Sequence, residues 1–460
     1  MAYIGLGSGT ENDPYQINSI EELNDVRNNS GTLSVPDVYF KFMRDLDFDD
    51  DDSYDNSSNK STYTTGVGWI PIASFFGVIL GNNKKLKNLY CKYDSGNLIG
   101  LFGYCNVSIY NLHLEDVDIG FDGSTRGHIG GLCGWNGSDI ERVIEECSVT
   151  GTIIGRDVIG GLCGLTVCNI SKCRTNVNIT GRYYLGGLVG YYEYQSRTTS
   201  DCYTEGNVIG VRDVGGFLGY AERASGTTGV LTNCYSNCYV EGTETAGGFV
   251  ATHGLLVPTY TRCFWNVNIS SQQDSLGGVG KNTIELKDID TFSDWDIVVY
   301  ENFTNETWFL DEGEDYPRLY FEFVDKEILV SDIELMSNTS LFYASDYNNN
   351  LPRLFLYNQT IEASVVEGDL VYYNTTSSQW VISSNSTPQG IYAGNNVVVL
   401  SGLVVLSNLK FNSDYWMDSA GKLTSSKASA YNGTYIGRSI TKKILSVNID
   451  IVGDFGVVEQ

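Results

Sequence analysis

The chain holds 460 residues, enough for two or three domains, and 42% of them are hydrophobic, as a folded core requires. Lys and Arg number 29 against 56 Asp and Glu, a formal net charge of −27. Such a surface repels phosphate backbones and anionic headgroups, which argues against nucleic-acid partners and membrane insertion, and no apolar run approaches the ~20 residues of a membrane span.

Residues 1–98 read as an N-terminal cap with the first strands. The stretch Met1 to Thr10 has neither the basic region nor the apolar core of a secretory signal. With Met1 kept, the expectation is a protein that leaves the cell in a virus particle, a removed signal being the alternative. Ser19-Ile20-Glu21-Glu22 matches a capping box, and Leu23, Val26 and Arg27 continue a short amphipathic helix. A helix there would cover the open end of a strand stack. Tyr39 to Asp47 alternates like a strand. The run Asp49 to Asp52 lacks the spacing of a calcium loop and reads as solvated. Gly68-Trp69-Ile70-Pro71-Ile72 then leads through Phe76 to Asn83 and Leu86 to Tyr90 into a repeat.

That repeat fills residues 99–280. A phrase such as Gly160-Gly161-Leu162-Cys163-Gly164 or Gly186-Gly187-Leu188-Val189-Gly190 recurs with its key glycine at 100, 131, 161, 187, 216, 248 and 278. The steps of 26 to 32 residues mark stacked units that bury their apolar faces against one another. Segments such as Thr175 to Thr180 alternate and are rich in β-branched residues, so two or three short strands fill each period. The fold expected is all-β: a right-handed parallel β-helix, with a propeller as the competitor. Cys147, Cys173, Cys202, Cys234 and Cys263 stand at matching places and predict a buried ladder of free thiols. Disulfides are the alternative. The spacings fit no zinc pattern, and no metal or cofactor is expected.

After Gly280 the pattern stops. Residues 281–324 read as an exit cap, with a short helix at Thr283 to Asp288 and the phrases Asp294-Trp295-Asp296 and Tyr316-Pro317-Arg318-Leu319. All eleven cysteines lie between Cys91 and Cys263, which helps set residues 325–460 apart. Runs such as Gly368 to Tyr373, Val397 to Val404 and Ile444 to Val447 read as a small antiparallel sandwich or barrel.

Asp13-Pro14-Tyr15-Gln16-Ile17, Gly68 to Ile72, the glycine phrases and the Trp295 to Leu319 closure resemble bacterial and phage surface proteins with GLUG-type repeats, over about residues 7–320. The resemblance implies a β-helical scaffold with an extracellular role and carries no catalytic motif. Tyr415-Trp416-Met417-Asp418 with Ile436-Gly437-Arg438-Ser439 resembles the small β-domains of phage tail fibres.

No nucleophile and base stand together, and His113, His128 and His253 lie in no catalytic phrase, so catalytic residues stay unassigned. Glu193, Asp201, Glu205 and Asp213 are candidate acids only because neighbouring coils can juxtapose carboxylates. The residue after each closing glycine is Tyr104, Trp135, Leu165, Tyr191 and Tyr220, with Tyr192 and Tyr194 close behind. In register these form an aromatic stripe, either a ladder supporting the turn or a surface for sugar rings. The function expected is a structural and receptor-binding protein of a viral tail fibre or spike, located on the virion. Its partners would be a host surface glycan or protein, other virion proteins and two further copies in a homotrimer. A polysaccharide depolymerase and a cellular adhesin are the alternatives.

Overall fold

The computed structural model describes residues 5–30, 38–93, 96–120, 127–137, 141–194, 197–223, 229–299 and 306–322, and the backbone of strands between 341 and 448. Residues Met1–Ile297 with Glu312–Tyr316 form one compact unit, and Val298–Asp311 with Pro317–Gln460 form a second. The segment read as a single exit cap is therefore divided between the two.

The first unit is a parallel β-solenoid of about eight turns. In the coil that opens at Cys163 the strands are Cys163–Thr166, Asn169–Ser171, Arg174–Thr180 and Tyr183–Gly186. Each pairs in parallel with its counterparts one coil before and after: Cys163 with Cys133 and Val189, Ile170 with Ile144 and Thr199, Val177 with Gly151 and Gly206, Leu185 with Ile159 and Val214. Parallel pairing rules out propeller blades. Four strands per turn exceed the two or three expected, because strands of three or four residues are too short to show alternation.

The coil turns tightly at two places. Between its second and third strands one residue adopts a left-handed backbone: Glu146, Lys172, Asp201, Asn233 and Arg262 have φ between 49° and 54°. For a side-chain-bearing residue this costs roughly 1–2 kcal/mol. The neighbouring coil holds it there, as in Lys172 N–H to Ser200 O at 3.0 Å and Asp201 N–H to Thr232 O at 3.0 Å. The following residue is the inward cysteine. Each thiol of this column donates to the carbonyl two residues earlier, at 3.1–3.5 Å. All eleven cysteines are free and buried, and burial raises the pKa of Cys147, Cys202 and Cys263 well above the ordinary thiol value. Those three are packing groups with a weak hydrogen bond, held protonated.

The second tight place is the glycine phrase. There the fourth strand runs into the next coil's first strand with backbone pressed on backbone. A Cβ on Gly164 would stand 2.4 Å from Ile129 N and 2.7 Å from Gly134 O, and one on Gly190 would stand 2.6 Å from Ile159 N. No side chain fits such a gap, so the glycines are required by close approach. Between them the apolar residue turns inward: Leu132, Leu162, Leu188 and Phe217 are all fully buried. They form one column, linked by N–H to carbonyl bonds of 2.9–3.0 Å from each coil to the next. Thr175 and Thr204 sit buried opposite the phrase and donate to Gly187 O and Gly216 O at 2.8 Å.

Stacking begins earlier than the glycine phrases do. Tyr15 already pairs with Phe40 and Tyr39 with Val78, all in parallel. Helix α1 (Ile20–Asn28) covers this end with buried Ile20, Leu23 and Val26. Ser19 caps it, accepting from Glu22 N–H at 3.1 Å, while Glu22 accepts from Asn18 N–H at 2.5 Å. The acidic run forms a single turn, Asp51–Ser53, capped by Asp50. At the far end Phe264, Phe292 and Trp295 pack with ring centroids 4.9–6.0 Å apart. The helix expected at Thr283 to Asp288 is one short turn, Glu285–Lys287.

In the second unit Trp308–Leu310 pairs antiparallel with Arg318–Leu319. Farther along, Val398–Val405 pairs antiparallel with Leu354–Leu356, Gly390–Tyr392 and Ile444–Asn448, and Asp414–Asp418 with Ala430–Ser439. The tightness of the glycine corner generates a prediction. Gly164→Ala or Gly190→Ala should cost about 2–4 kcal/mol of stability in chemical unfolding, whereas exposed Thr180→Ala in the same coil should change it by about 0.5 kcal/mol or less. Equal effects would contradict the close approach.

Candidate functional site

The residue after each closing glycine emerges where the first strand leaves the corner. Register places Tyr104, Trp135, Leu165, Tyr191, Tyr220 and Thr252 in one column. The column has two aromatic stretches separated by Leu165. In the first, Tyr104 packs edge-on to Trp135 at 5.3 Å and to Phe76 at 6.5 Å, and its hydroxyl donates to Gly137 O at 3.2 Å. Trp135 is 37% exposed and meets His128 edge-on at 5.9 Å.

The second stretch is better built. Tyr191 and Tyr220 stack at 4.7 Å with 23° between their planes. Tyr184, from the fourth strand, stands across both at 6.0 and 5.5 Å, its ring at 71° and 86° to theirs. The Tyr191 hydroxyl donates to Glu222 Oε2 at 2.6 Å. Burial and this carboxylate both hold the Tyr191 phenol above its ordinary pKa, so it stays a donor. Glu193 pairs in register with Glu222. Thr252 ends the column and donates to Asp213, which also lies 3.4 Å from Arg212 Nε. All three rings are part-exposed.

One reading from sequence needs revision. Tyr192 is not part of the stripe: it is 0% exposed, points into the core and donates its hydroxyl to Cys168 O. It follows Tyr191 directly, and two adjacent strand residues do not share a face. The side chain of Tyr194 lies outside the described residues. Among the candidate acids, Asp201 occupies the left-handed bend and accepts from Asn233 Nδ2 at 3.2 Å, and Glu205 sits on the third strand opposite Asn176 and Asn237. Only Glu193 and Asp213 border the tyrosines.

Sequence reasoning missed Glu222 and Tyr184. A signal for Glu222 exists, because it stands three residues after Gly219 as Glu193 does after Gly190. Tyr184 precedes the glycine pair and joins the site only because the corner folds the fourth strand onto the first. Of the three histidines, His128 touches the column through Trp135, and the other two serve elsewhere. His113 is buried against Ser148 and Asn83, burial holding it near pKa 3, and His253 bonds the Tyr260 hydroxyl at 2.7 Å. The arrangement offers ring faces and carboxylate acceptors to a polyhydroxylated ligand.

No family model matches the chain, and no solved structure matches it. It is similar to halomucin of Haloquadratum walsbyi, 29% identical over 280 residues, or 59% of this chain and 3% of that protein. It is also similar to a putative Gly-rich membrane protein of Evansella cellulosilytica, 30% identical over 148 residues, or 30% of this chain and 15% of that protein. The chain thus spans a small part of each relative's length. No helix among the described residues is long and apolar enough to cross a membrane.

The contrast within the Tyr191–Tyr192 pair is directly measurable. Tyr192→Ala should destabilise the solenoid by about 3–5 kcal/mol, as loss of a buried aromatic does, while Tyr220→Ala should cost about 1 kcal/mol or less. Matching losses in urea unfolding would show that the two rings are not segregated.

Proposed function

We propose that this chain is a structural and binding module of a surface-displayed protein, in which the solenoid presents the Tyr184, Tyr191 and Tyr220 platform to a glycan. The observation that carries this is the platform itself: three part-exposed tyrosines from three successive coils, with Glu222 fixed beside them. Sugar rings stack their C–H faces on aromatic groups, and carboxylates accept from their hydroxyls. The similarity to halomucin and to a membrane protein supports display at a cell surface.

The finer points belong to the same proposal. The solenoid winds right-handed, as parallel strand crossovers overwhelmingly do, and the C-terminal antiparallel strands close as a sandwich or barrel. The glycine phrases support kinship with GLUG-repeat surface proteins. Display on a viral tail fibre as a homotrimer is the form of this reading that rests on the tail-fibre resemblance, with a host surface glycan as receptor.

A depolymerase is the second reading, favoured by Glu193 and Glu222 in adjacent coils beside the platform. The inter-strand spacing of ~4.8 Å approaches the ~5–5.5 Å between the carboxyl groups of retaining glycosidases. Calorimetry with surface oligosaccharides distinguishes the readings. Binding without release of reducing ends, weakened at least tenfold by Tyr220→Ala, is the expected result. Release of reducing ends that Glu222→Gln abolishes would favour the enzyme, and unaltered binding by Tyr220→Ala would remove the platform from the function.

A further inference from the structure

Beside the platform lies a basic cluster that its aromatic chemistry does not use. In three successive coils Arg156 and Arg182 stand between the third and fourth strands, and Arg212 opens the fourth strand in register with Tyr183. Backbone bonds join them, with Arg182 N–H to Arg156 O at 2.7 Å and Arg212 N–H to Arg182 O at 2.9 Å. Two of the three guanidinium groups share one aromatic ring. Arg182 lies 4.9 Å and Arg212 4.7 Å from the ring centroid of Tyr183. Arg182 also donates to the Tyr183 hydroxyl at 2.9 Å. Asp157 and Asp213 lie 3.7 and 3.4 Å from Arg156 and Arg212, and among the described residues no carboxylate pairs with Arg182. Both Arg182 and Arg212 are exposed.

We propose that Arg182, Tyr183 and Arg212 form an anion subsite that takes the carboxylate or sulfate of an acidic saccharide whose ring rests on the tyrosine platform. This rests on the glycan-binding reading and names its ligand class. A guanidinium held against an aromatic ring keeps its N–H edges free and oriented, the arrangement suited to a planar or tetrahedral oxyanion. Tyr183 and Tyr184 are consecutive and both part-exposed, the left-handed backbone of Tyr184 (φ 57°) breaking the strand alternation, so the anion subsite adjoins the platform and both fall within the reach of one oligosaccharide. The net charge of −27 opposes a densely charged polyanion such as a nucleic acid, whereas the occasional acid group of a sugar chain faces far less repulsion.

The test uses the full chain and three probes in calorimetry: aldotetraouronic acid, in which one uronate is carried on three neutral xyloses, its methyl ester and sodium sulfate. The acid should bind at least tenfold more tightly than the ester. In the double variant Arg182→Ala/Arg212→Ala that preference should vanish while the ester's affinity stays unchanged, and Tyr220→Ala should weaken both sugars. A melting temperature of the double variant close to that of the parent confirms that folding is intact. Equal affinity of the parent for acid and ester overturns the anion subsite but leaves the platform standing. Absence of binding by either sugar overturns both. Sulfate alone binding as tightly as the acid would assign the subsite to a free anion, against a saccharide.

Discussion

The solenoid depends on two stretches of backbone lying too close for any side chain between them. At each glycine phrase the first strand of a coil lies against backbone of the coils before it, chiefly their fourth strands, with amide and carbonyl atoms where a Cβ would be. Everything else in the coil follows from that corner. It sends Leu162 and its counterparts inward, releases one residue to the surface, and brings residues from before and after the turn together outside.

This accounts for the division of labour around the coil. The interior repeats because each column must match the residue above and below it, whether Leu and Phe at the corner, thiols after the bend or Asn136 bonding Val107 across coils. The exterior is under no such constraint, so Tyr, Trp, Leu and Thr succeed one another along a single column. A binding platform is therefore local to three coils and not a property of the repeat. The arginines illustrate the same freedom, being a basic cluster on a chain with nearly twice as many acids as bases.

How much of this was legible in the sequence depended on which constraint each residue serves. The glycine spacing and the inward cysteines declared a stacked parallel fold because backbone contact and burial permit few substitutes. The strands of Ile17 and Phe40 read as part of a cap because they build their core without a glycine phrase, while the run that holds Ile79 reads as the lead into the repeat. The aromatic column was legible by its offset from the closing glycine. Tyr192 was misread since composition does not tell which of two adjacent tyrosines faces out. Tyr184, Arg182 and Arg212 were invisible as site residues, for only the folded corner makes the two sides of the glycine pair neighbours.

Register between coils is the claim on which all of these columns stand, and disulfide trapping on the outer face measures it. Asn178 and Asn207 are exposed partners in adjacent coils, their side chains 2.6 Å apart. Facing strands ~4.8 Å apart fall within disulfide range, and a separation of two coils does not. The double variant Asn178→Cys/Asn207→Cys should cross-link rapidly under mild oxidation, as read by mass spectrometry, while Asn178→Cys/Tyr239→Cys should not. Comparable cross-linking of both pairs, or none of the first, would contradict the stacked register.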